Sequence, residues 1–162
     1  MSGGGALWPS PARLGALTVQ RRAAAGGGGG GGALVEYNMD DVAGTTITTS
    51  GVVLFDSGGS SGGYVSDENY TVTFQAVAGQ TVQATMTYCE IENYYQEGLT
   101  FSDNGVAMTN KIHGSASAGT GFWASNSLPY VIETTTNVMQ INFRSDRTVN
   151  DDGFRIEVVF ND

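Results

Sequence analysis

Residues 138–160, "VMQINFRSDRTVNDDGFRIEVVF", decide the fold. Met139, Ile141 and Phe143 alternate with Gln140 and Asn142. Phe154, Ile156, Val158 and Phe160 alternate with Arg155, Glu157 and Val159. Successive side chains of a strand point to opposite faces, so this period of two describes two strands, each with one buried and one wet face. The intervening "RSDRTVNDDG" is polar, acidic and turn-forming. Two readings of its acids stand open: a solvated turn, or one wall of a cation site.

The same alternation recurs upstream. Tyr70, Val72 and Phe74 alternate with Thr71 and Thr73, and Val82, Ala84, Met86 and Tyr88 with Gln83, Thr85 and Thr87. "GVVLF" (51–55) and "GLTF" (98–101) add shorter strand candidates. Turn sequences separate them: "DSGGSSGG" (56–63), "AVAGQ" (76–80) and "SDNG" (102–105). No segment carries a helical period. Short strands at this spacing predict an all-β chain, an antiparallel β-sandwich of the jelly-roll kind with almost no helix. Phe74, Met86, Tyr88, Leu99, Ile141, Phe143, Phe154, Ile156 and Val158 are expected in its core, because a one-residue slip would expose each set.

The 162 residues suit one domain with a sizeable core. The first 32 hold 11 of the 24 glycines, including the unbroken run from Gly26 to Gly32, and their only charges are three arginines. A seven-glycine run cannot offset its ordering entropy by side-chain burial, so residues 1–32 read as a disordered arm or linker before a domain at 33–162. The chain's net charge is -9, and residues 33–162 carry 4 basic against 16 acidic residues, a net of -12. Nucleic acid is excluded as a natural partner, since binding it needs clustered Lys and Arg. Cations and basic proteins fit better. With Cys89 alone, no intramolecular disulfide and no CxxC metal site can form. No apolar run approaches the roughly 20 residues of a membrane span, and no signal-peptide apolar region follows Met1.

Four stretches, read in order, carry a resemblance to a known family. They are "FDSGGSSGGYVSDENYTVTF" (55–74), "AGQTVQATMTYCEIENYYQEGLTFSDNG" (78–105), "VIETTTNVMQINF" (131–143) and "RSDRTVNDDGF" (144–154). Over about 56–160 the chain resembles the CUB domain, an extracellular β-sandwich module, and in particular its cysteine-poor CUB-like variants. The usual two disulfides are missing, with Tyr70 and Val72 where the family has Cys and Trp. The resemblance implies a module of secreted or cell-surface proteins. It also implies calcium held by acids from two loops at one end of the sandwich. Matched residue by residue, those acids are Glu92, Glu97 and Asp146, with Tyr64 as a buttress and Thr148, the Val149 carbonyl and Asn150 close enough to contribute. Glu97 stands where the family more often has Asp, which moves that ligand by about one methylene. Calcium takes six to eight oxygen ligands in flexible geometry, so such a set is chemically suited to it.

Other constellations fail. His113 is the only histidine, so neither a zinc site nor a nucleophile–base–orienter set is apparent, and no Gly-x-Ser-x-Gly elbow is present. Cys89 lies beside Glu90, which disfavours a thiolate. The glycine runs lack Gly-Lys-Ser/Thr, which excludes a P-loop. Tyr94, Tyr95, Phe122 and Trp123 are aromatics beside polar loops and are candidates for partner contact, with loop packing as the alternative. Asn69-Tyr70-Thr71 is an N-glycosylation sequon. The expected function is a non-enzymatic, adhesion-type binding module whose acidic end meets a basic protein side chain or a glycan. The rival is a structural coat, matrix or filament subunit, a homo-oligomer built through sheet edges and the Gly-rich arm.

Overall fold

The computed structural model describes residues 34–92, 96–109, 112–115 and 128–162. The arm at 1–32 and the aromatics Tyr94, Tyr95, Phe122 and Trp123 lie outside the described residues. The elements are β1 (Val35–Asn38), α1 (Met39–Val42), β2 (Thr46–Ile47), β3 (Val52–Phe55) and a 3-10 turn (Gly59–Ser61). They continue with β4 (Asn69–Gln75), β5 (Thr81–Ile91), β6 (Gly98–Asp103), β7 (Val106–Ala107) and β8 (Gly114–Ser115). The chain ends with β9 (Tyr130–Glu133), β10 (Val138–Arg144) and β11 (Gly153–Asn161). Among the described residues, helix is confined to α1 and the 3-10 turn.

Two sheets face each other. One runs β1-β3-β11-β5-β8, with β9 also on β5; the other runs β2-β4-β10-β6-β7. β10 and β11, the two strands of residues 138–160, are therefore central, one in each sheet. Phe143 of β10 stands opposite Tyr70 of β4 on one side and Leu99 of β6 on the other. Both sheets are mixed rather than wholly antiparallel, because β1 pairs with β3, and β2 with β4, in parallel. The reason is topological. The first two passes from the first sheet to the second, β1 to β2 and β3 to β4, run in the same sense.

Every expected core residue but one is buried: Phe74, Met86, Leu99, Ile141, Phe143, Phe154, Ile156 and Val158 are at most 1% exposed. A chain of edge-to-face rings, Tyr64–Phe143–Phe154, has centroid separations of 5.1 Å at both steps. It crosses the interior from a loop through one sheet to the other, in the geometry that aromatic quadrupoles prefer. Tyr88 is the exception and is 37% exposed. Arg155 pairs with Tyr88 but Ile156 pairs with Met86, so Thr87 is an extra residue on β5. This β-bulge reverses the alternation, turning Tyr88 outward and Cys89 and Ile91 inward.

Candidate metal centre

One end of the sandwich is built from three chain segments: the loop after β3, the connection between β5 and β6, and the loop between β10 and β11. The first is fixed by Asp56, which is buried. Its Oδ1 accepts from the Gly58 amide at 2.8 Å, an Asx-turn, and its Oδ2 accepts from the Phe154 amide at 3.1 Å. Gly153 beside it has φ +86°, and a Cβ there would lie 1.8 Å from Asp56 Oδ2, so only glycine fits. The first and third segments are also joined by backbone, Asp67 N–H to the Asp146 carbonyl at 2.7 Å. Buried Ser145 accepts from the Glu68 amide at 2.9 Å and donates to the Val65 carbonyl at 2.7 Å. Arg147 pairs with Asp67 at 3.0 Å on the surface.

Onto this frame the fold brings Glu92, Glu97 and Asp146. One carboxylate oxygen from each lies within 4.8 Å of the others. Glu97 is fully buried. Its Oε2 accepts from the Tyr64 hydroxyl at 2.8 Å and its Oε1 from the Asp146 amide at 2.8 Å. The Tyr64 hydroxyl in turn accepts from the Glu92 amide at 3.0 Å, so one phenol ties the second segment together. Asp146 Oδ1 takes both the Thr148 amide and the Thr148 hydroxyl at 2.8 Å. The Thr148 hydroxyl stands 3.5 Å from Glu92 Oε2, between the two acids. Asn150 is exposed and its amide oxygen accepts from Ser66 at 3.2 Å, toward the first segment. Asn69 lies exposed at the start of β4, where its side-chain oxygen accepts from Asn142 at 3.0 Å.

The electrostatics follow from this geometry. Burial pushes the Glu97 carboxyl above its usual range, more than the Asp146 amide and the Tyr64 hydroxyl can offset. Burial likewise raises the Tyr64 phenol, which keeps it a donor. The Thr148 hydroxyl and amide hold Asp146 below the usual carboxylate range. Among the described residues no Lys or Arg pairs with any of the three acids.

The donor set fits a hard divalent cation. It consists only of carboxylate and hydroxyl oxygens, as calcium prefers, and offers no nitrogen or sulfur of the kind zinc selects. Two oxygens on one calcium ion, each about 2.3–2.6 Å from it, sit at most about 5 Å apart, which accommodates the observed spacing. Glu92 Oε1 makes no protein hydrogen bond among the described residues.

Sequence reasoning missed Ser145, Asp56 and Gly153. The Asp-Ser-Gly-Gly run at 56–59 carries an Asx-turn signal for the second. Contact between Gly153 and Asp56 joins residues nearly a hundred positions apart and leaves no local mark.

A two-sheet sandwich with acids gathered on loops at one end defines a class of β-module that can take a cation at that end. The chain belongs to the CUB domain family, whose model matches residues 45–158. CUB domains are generally extracellular protein-binding modules rather than enzymes. A search of curated protein sequences gave no match. Among solved structures, the chain is similar to the extracellular region of zebrafish Gpr126/Adgrg6, at 22% identity and TM-score 0.58, over 72% of this chain and 14% of that one. It is also similar to the CUB1-EGF-CUB2 region of human MASP-1/3, at 13% identity and TM-score 0.58, over 79% of this chain and 44% of that one. A third is the MASP-1 CUB2 domain bound to Ca2+, at 14% identity and TM-score 0.55, over 72% of this chain and 98% of that domain. At these identities the likeness is one of fold. The chain spans less than half the length of the first two proteins.

Proposed function

We propose that this CUB domain is an extracellular or cell-surface binding module whose calcium-loaded acidic end receives a basic side chain of a partner protein. The observation that carries the reading is the convergence of Glu92, Glu97 and Asp146 within 4.8 Å, with no paired Lys or Arg among the described residues. Three carboxylates at that spacing repel one another, and a bound cation turns the repulsion into attraction. The calcium carried by the structurally similar MASP-1 CUB2 domain supports the same assignment. Glu92, Glu97 and Asp146 would hold the ion, with Thr148 and Asn150 as neighbouring oxygens. Calcium supplies fixed positive charge that ties the loops together. Val65, next to Tyr64 in the chain, and Val149, next to Thr148, are exposed and offer apolar contact to a partner. The acidic surface steers a lysine or arginine toward the site. No catalysis is part of this reading.

The test is thermal unfolding with and without calcium. An ion that binds only the folded form stabilises it by about 2.7 kcal/mol at a hundredfold excess over Kd. Calcium should raise Tm, Asp146→Ala should remove most of the gain, and magnesium should substitute poorly because it demands tighter octahedral geometry. A Tm that does not respond to calcium sinks the proposal.

A further inference from the structure

The outer face of the first sheet holds a second feature, which shares the loop after β3 and the loop between β10 and β11 with the acidic end but uses none of the acid trio. A cleft of about 450 Å³ opens between the 3-10 turn and the start of β11, lined by Phe55, Phe154, Tyr88, Asp152 and Arg155 beside residues 59–62. We propose that this cleft binds a neutral saccharide, one or two sugar units of a glycan.

Its walls are held in place. A Cβ on Gly58 would lie 2.2 Å from the Gly63 carbonyl oxygen, and one on Gly63 would lie 2.1 Å from the Asp151 carbonyl oxygen. The glycine loop therefore packs backbone against backbone, on itself and on the strand entry that carries Asp152. The bulge at Thr87 puts the Tyr88 ring at the mouth of the cleft, where regular alternation would have buried it. Its hydroxyl donates to Glu90 at 2.7 Å and reaches toward Asp152 Oδ2 at 3.5 Å, which orients the ring.

The chemistry of the lining selects the ligand. A sugar presents an apolar C–H face and a rim of hydroxyls, each both donor and acceptor. An exposed tyrosine ring matches the face. Arg155 spends Nη1 on Thr87 and Glu157, which leaves Nε and Nη2 without a protein acceptor among the described residues. Asp152 Oδ1 has no protein donor among them either. A guanidinium with spare donors, a carboxylate with a spare acceptor and the exposed Ser60 and Ser61 suit vicinal hydroxyls. An anionic ligand would meet Asp152 and Glu90, and a cationic one would meet Arg155. A neutral polyol satisfies both signs. Pockets of this volume are in the range that holds small molecules.

Amide chemical shifts of the full chain, labelled with 15N, test this. The probes are the methyl glycosides of glucose, galactose, mannose and N-acetylglucosamine, each at about 10 mM, since one shallow aromatic site implies Kd on the order of 1 mM. At least one should shift the amides of residues 59–62 and 153–155. Tyr88→Ala and Asp152→Ala, both at exposed positions, should each weaken that binding about tenfold or more, and Tyr88→Phe should retain most of it. Glu92→Gln should leave it unchanged, which separates this cleft from the acid trio. No shift in those amides with any probe overturns the proposal. So do shifts that persist in both alanine variants, and tighter occupation of the cleft by acetyl-lysine-amide than by every sugar.

Discussion

Replacing Tyr64 with phenylalanine keeps the ring and removes one oxygen. The ring's edge-to-face contact with Phe143 at 5.1 Å survives. Two hydrogen bonds do not: the donor to Glu97 Oε2 at 2.8 Å and the acceptor for the Glu92 amide at 3.0 Å. The first serves a fully buried carboxylate, and a hydrogen bond to a charged group contributes about 1.5–3 kcal/mol. The second serves a part-buried amide that water can reach, so its loss costs about 0.5–1 kcal/mol. Together the variant should lose about 2–4 kcal/mol, which at about 3 °C per kcal/mol for a domain of this size lowers Tm by about 6–12 °C. Urea unfolding followed by circular dichroism, in chelator, isolates this from any ion. In a Glu97→Gln background the same change should cost at least about 1 kcal/mol less, because the charged acceptor is gone. A Tyr64→Phe variant within about 0.5 kcal/mol of the parent would refute the claim that this phenol holds the acidic end together.

Gly153→Ala should be among the most damaging single changes, costing about 3 kcal/mol or more in urea unfolding, because its Cβ would collide with buried Asp56 at a positive φ. Cys89 is buried and burial pushes its thiol up to about 12, so iodoacetamide should label it only on unfolding; rapid labelling of folded protein would show β5 open there. Without calcium, stability should rise as pH falls from neutrality. Burial raises the carboxyls of Asp56, Glu68 and Glu97 above their unfolded values, so the folded state binds more protons between the unfolded and folded pKa values and loses stability as pH rises through that window. At lower pH the trend should reverse, as Asp103, Glu133 and Asp146, whose carboxyls hydrogen bonds hold down, become protonated; urea midpoints measured against pH in chelator check both limbs.

The alternation in 138–160 determined the two central strands and their inward faces. A period of two leaves a strand one way to bury Ile141, Phe143, Phe154 and Ile156, and the structure buries all four. The acidic, glycine-flanked turns were equally legible, because turn propensity is a property of a few adjacent residues. The resemblance added which acids to compare, and the fold gathers Glu92, Glu97 and Asp146 from segments about 50 residues apart. The outward Tyr88 was not legible. It depends on one extra residue, Thr87, in the register between β5 and β11, and pairing between distant strands sets that register. The parallel edge pairs and the fit of Gly153 against Asp56 have the same origin. Each arises where two segments far apart in the chain meet, and neither segment by itself carries the contact. Tertiary packing alone decided them, and with them the shape of the cleft beside Tyr88.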